Sequence, residues 1–95
     1  MDITAFKRSV ADDNPPDRLG LALQALWHDA KGNWDEAHKL AQDQKDETGA
    51  WVHAYLHRVE GDLRNAGYWY RNANKPECTA TLQEEWDQIT DALLR

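Results

Sequence analysis

The chain has 95 residues, with 11 Lys and Arg against 17 Asp and Glu, a net charge of −6 and a single cysteine. That length suits one domain with one modest core. The acidic balance disfavours nucleic acid and anionic membranes as partners, because phosphate binding needs a basic field, and a lone Cys78 cannot form an internal disulfide. Mean hydropathy is low at −0.87, yet five Trp are present, so a few large aromatic side chains are expected to supply much of the buried area. The first residues, MDITAFKRSV, show no charged segment leading into an apolar run, and no apolar stretch is long enough to span a bilayer. The expected location is cytoplasmic.

Taken in order, Ile3, Phe6 and Val10 make one stripe of a short helix over about 2–12. Asn14, Pro15 and Asp17 have the order of an N-cap, a first helical position and an acidic first turn. The second helix is therefore predicted over about 15–31, with Leu19, Leu23, Leu26, Trp27 and Ala30 inward and Gly32 past its end. Asn33 and Glu36 have capping-box spacing for a third helix from Trp34 to about Lys45. Asp46 to Gly49 reads as a corner, followed by a fourth helix from about Ala50 to Glu60. Gly61-Asp62 turns the chain into a fifth, from Leu63 to Asn74. Thr81 and Glu84 form a capping box for the last, whose stripe is Leu82, Trp86, Ile89 and Leu93. Six helices without a strand pattern predict an all-α protein.

A shift of 29 positions sets Ala25-Leu26-Trp27-His28 on Ala54-Tyr55-Leu56-His57, Gly32 on Gly61, Trp34 on Leu63 and Ala37 on Ala66. Repetition at such a period is a mark of stacked helical hairpins. The segments Gly32-Asn33-Trp34-Asp35-Glu36-Ala37 and Gly61-Asp62-Leu63-Arg64-Asn65-Ala66, followed by Tyr70, Ala73 and Pro76, resemble the tetratricopeptide-like (TPR-like) family of helix-turn-helix repeats. The resemblance implies a right-handed solenoid fragment with hairpins over about 18–45 and 48–75, flanked by capping helices over about 2–12 and 80–94. The period departs from that family's 34 residues.

The family's groove is lined by the first helix of each unit. The resemblance thus assigns a peptide-binding role to Trp51, Tyr55 and Arg58, with Leu26 and Asp29 from the preceding unit and His53 and His57 nearby. Trp, Tyr and Arg are also the types that dominate interaction hot spots. Against this, Trp51, Val52, Tyr55, Leu56 and Val59 form one wide apolar arc on a helical wheel, which also suits ordinary core.

His53 and His57 stand four residues apart, the spacing that lets two imidazoles share a metal, with Glu60 three further on and His28 offered as a third ligand by the repeat. Such spacing specifies a site loosely, and packing histidines with no metal are the expectation. Tyr68, Trp69 and Tyr70 point about 100° apart on a helix, so Tyr70 is expected inside and at least one of the others outside. No Gly-rich phosphate loop, paired nucleophile or isolated carboxylate pair suggests catalysis. The sequence therefore predicts a non-enzymatic interaction module for a protein, a peptide or a second copy of itself, without cofactor. The alternatives are a metal-binding protein using His53 and His57, or a structural homodimer.

Overall fold

Six helices account for all the regular structure of the computed structural model, which describes residues Met1 to Arg95. They are α1 (Ile3–Ser9), α2 (Leu21–Ala30), α3 (Trp34–Asp43), α4 (Glu47–Val59), α5 (Leu63–Asn72) and α6 (Leu82–Leu94). The all-α expectation holds. No helix is long and apolar enough to cross a membrane.

Five of the six helices start on a side-chain cap, in which Asp2, Asn33, Asp46, Asp62 or Thr81 accepts from a backbone N–H one turn on. At Thr81 the hydroxyl Oγ1 accepts from Glu84 N at 3.1 Å and donates to the Glu84 carboxylate at 3.0 Å. Gly32 and Gly61 sit at matching corners with φ of +84° and +87°, a conformation that favours glycine.

Two predicted boundaries are corrected. The second helix starts at Leu21, not near Pro15, and Gly20 rather than Asn14 is its N-cap. Pro16 disfavours helical backbone at the residue before it, so Pro15 cannot serve as a first helical position. The chain also passes through a left-handed residue at Arg18, with φ of 67°. The fourth helix starts at Glu47, three residues earlier than expected, because Asp46 caps it by accepting from Gly49 N at 2.8 Å. Gly49 is thus not a corner. A side chain there would meet the Gln44 carbonyl oxygen at 2.0 Å, so only glycine fits.

α2 packs on α3, α4 on α5, and α3 against α4, joining the two hairpins. α6 closes over α2 and α4, and α1 packs against α6. The core gathers Phe6, Leu26, Trp27, Val52, Leu56, Trp86 and Ile89, with Ala37 and Ala41 where α3 comes close. The two buried indoles and the partly buried Trp34 each place their N–H, as such rings usually must. Trp86 donates to Leu26 O at 3.0 Å, Trp34 to Leu56 O at 2.8 Å and Trp27 to Ser9 Oγ at 3.1 Å.

A buried polar latch holds α6 down. The Glu85 carboxylate accepts from Arg58 Nη1 at 2.9 Å and from Tyr70 Oη at 2.5 Å, while Arg58 Nη2 donates to Ala80 O. Glu85 is the more deeply buried partner, its side chain 2% exposed against 17% for Arg58. Removing the cation strands a buried carboxylate, so Arg58→Met should cost about 3–5 kcal/mol. Adding Glu85→Gln should recover a large part of that loss, since the amide still accepts from Tyr70; urea unfolding measures both. Thr90 shows the opposite case, a fully buried hydroxyl without a hydrogen-bond partner. Thr90→Val should stabilise the protein by about 1 kcal/mol, raising Tm by roughly 4–8 °C in a thermal melt.

Candidate metal centre

α4 is buried on nearly every side: each residue from Val52 to His57 is inside. Its period carries two imidazoles, His53 and His57, to the face that meets α3 and α5, where they are only 4% and 6% exposed. A buried imidazole needs partners for its ring nitrogens. His53 finds one on the neighbouring helix, its Nε2 lying 2.9 Å from His38 Nε2. His57 finds the other at the end of its own helix, its Nδ1 lying 2.6 Å from Glu60 Oε1. His38, His53 and His57 together offer one nitrogen each, all within 4.8 Å of one another.

Aromatic rings hold the three imidazoles in place. Trp34 stacks on His38 with centroids 4.7 Å apart and planes 13° apart. Trp69 stacks on His53 at 3.9 Å and 16°, and His53 stacks in turn on His57 at 4.7 Å and 25°. Trp34 is itself fixed by its hydrogen bond to Leu56 O on α4, so it ties the start of α3 to the helix carrying the other two histidines. The histidines are therefore set in an ordered stack rather than on mobile side chains.

Burial disfavours the charged form of His38 and His53. Burial pushes the pKa of His53 down to about 4, helped by the positive charge that His38, His57 and Lys45 would place beside it. His38 is lowered as well, by burial and by His57, against the opposing pull of Glu60 and Asp35. Both shifts favour the neutral imidazole, the form a metal requires, and in the 2.9 Å contact one Nε2 donates while the other accepts.

Of the candidate binding residues, Tyr55 and Asp29 meet on one side of α4 and His53 and His57 on the other. Tyr55 turns towards α2 and donates to Asp29 Oδ2 at 3.3 Å. Arg58 is engaged by Glu85 beneath α6. Trp51 lies half-buried beneath Lys75, whose Nζ is 4.3 Å from the ring centre. His53 and His57 occupy the other side of α4, with Trp69 rather than with Tyr55. Nor is His28 the third imidazole: it packs edge-on against Trp27 at 5.0 Å, and His38 takes the place beside His53 and His57. The repeat aligns His28 with His57 as equivalents, and equivalent positions on successive hairpins face successive neighbours rather than each other. Trp34 and His38, four apart on α3, carried the available signal: one aromatic face, on the helix that precedes the one bearing His53 and His57.

Tyr68 is 51% exposed and Tyr70 is buried, as expected for adjacent aromatics on a helix. A second acidic grouping, His57, Glu60 and Asp62, is less suited to a metal, since Asp62 already caps α5 through Asn65 N. Comparison with protein-family models, curated proteins and solved structures finds no match.

The depressed His53 pKa has a consequence for stability. The unfolded chain binds a proton at His53 near pH 6.5, whereas the folded chain resists it until about pH 4. Stability is therefore fully present above pH 6.5 and falls through that window as the medium is acidified. Chemical denaturation across the window, compared with His53→Gln, should show the slope in the parent and a flatter profile in the variant.

Proposed function

We propose that the protein binds one divalent transition-metal ion, Zn2+ foremost, through His38, His53 and His57. One observation carries this reading: three nitrogen donors from two helices, two of them buried and His38 partly so, converge within 4.8 Å, and two already lie 2.9 Å apart. Tetrahedral zinc with Zn–N bonds of about 2.0–2.1 Å sets its ligands about 3.3 Å apart. The His38–His53 pair thus needs to open by only about 0.4 Å, with the donor ring changing tautomer so that its hydrogen sits on Nδ1 and its Nε2 is free for the ion.

Two further features support the assignment. Imidazoles are ligands for zinc, copper, nickel and iron, whereas calcium and magnesium favour oxygen. The contact from Glu60 to His57 Nδ1 matches the carboxylate–histidine–metal arrangement, in which the outer carboxylate fixes the ring and leaves Nε2 to the ion. Three protein ligands leave a fourth position for water or an exogenous donor. The ion would bridge α3 to α4 and so staple one hairpin to the other. The metal would then lie at the joint between the two hairpins.

Calorimetric titration of Zn2+ into chelator-treated protein should give one ion per chain. His38→Ala should weaken binding at least about 100-fold, and Glu60→Gln by about 10–100-fold. His28→Ala should leave affinity unchanged. Zn2+ at a hundred times its Kd should add about 2.7 kcal/mol to the stability of the parent. Absence of stoichiometric binding, or equal affinity in His38→Ala, would overturn the assignment.

A further inference from the structure

On the opposite side of α4 from the histidines, a cavity of about 380 Å3 opens between α1, α2 and α6. Its wall includes Val10, Asp29, Tyr55 and Trp86, with Lys7 and Gln83. Asp29 is out of place by ordinary rules. It lies in the last turn of α2, where the helix dipole disfavours a negative charge. It is half-buried, and burial raises its carboxyl pKa against the lowering effect of Tyr55. No cation in the protein answers it. The four ion pairs engage Asp87, Glu60, Glu85 and Asp91, and its side chain receives one hydrogen bond, the 3.3 Å contact from Tyr55 Oη. Lys7, the one cation on the cavity wall, is held by Asp87 at 3.1 Å.

A carboxylate that is desolvated, set at the wrong helix end and turned into a cavity with aromatic walls has the composition of a cation receptor. The carboxylate supplies the counter-charge, the lone pairs of the Tyr55 hydroxyl can accept a second N–H, and Tyr55 and Trp86 cover an alkyl stem. We infer that this cavity binds a primary alkylammonium group, with Asp29 as its counter-ion and Tyr55 as a second acceptor. The cavity is at the small end of ligand sites, which suits the end of a lysine side chain or a free aliphatic amine better than a rigid ring system. This site is separate from the histidine cluster and does not depend on a metal.

The test is a set of 1H–15N NMR titrations of the full chain in the presence of chelator and at low salt. One arm uses n-butylammonium chloride, and the other an N-acetylated peptide carrying one internal lysine. The matched controls are n-butanol and the same peptide with norleucine. Saturable shifts at Ala30, Tyr55 and Gln83 are expected with the amines and not with the controls. Asp29→Asn should weaken them at least about tenfold, one charge-pair's worth of affinity. Binding in one arm only identifies the source of the amine, and binding in either supports the site. Asp29→Asn should also melt no lower than the parent, because it removes an unpaired charge while its amide oxygen still accepts from Tyr55. No saturable shift in either arm, equal binding by Asp29→Asn, or a large loss of stability in that variant would overturn the inference.

Discussion

The molecule is governed by the position of α4. It packs against α2, α3, α5 and α6, and six consecutive residues, Val52 to His57, lie inside. A helix covered all round would ordinarily be apolar all round. This one carries two histidines, a tyrosine and an arginine, and every one of them must find a partner or carry a desolvation cost of several kcal/mol. The partners come from three of these neighbours and from α4's own end: His38 from α3, Asp29 from α2, Glu85 from α6, and Glu60 from the turn after α4 itself.

These partnerships differ in what they leave over. Glu85 is satisfied by Arg58 and Tyr70 together, which makes it a latch. It orients α6 without leaving a free valence. The histidines are different, since three rings share one close Nε2 contact and one carboxylate, and nitrogen lone pairs remain. Stacking on Trp34 and Trp69 fixes those lone pairs in space, so a cation entering there meets ligands that have already lost their rotamer freedom. Asp29 is the third kind, a charge with a single neutral partner.

Much of the architecture was legible in the residues. Capping boxes, the glycine corners and the 3.6-residue stripes locate the helices because they are local, and local rules act whatever the tertiary setting. The failures are tertiary. Pro15 looked like a helix start until Pro16 behind it is considered, and Gly49 looked like a corner although it is the point where α4 passes the Gln44 carbonyl. Trp51, Tyr55 and Arg58 share one side of a wheel, yet α2, α6 and the 75–80 connection each claim one of them. His53 and His57 were visible as a pair. His38 was not, because nothing along the chain says which helix faces which, and the repeat pointed to His28 instead.

The proposed metal centre requires three imidazoles from two hairpins to meet at one ion. X-ray absorption at the zinc edge, on protein loaded with one equivalent, reads the ligand set without relying on affinity. Three imidazole nitrogens at about 2.0–2.1 Å with one further light atom is the spectrum the account predicts. A shell of oxygen donors, or a single imidazole, would contradict it, and α4 would then carry its histidines for packing alone.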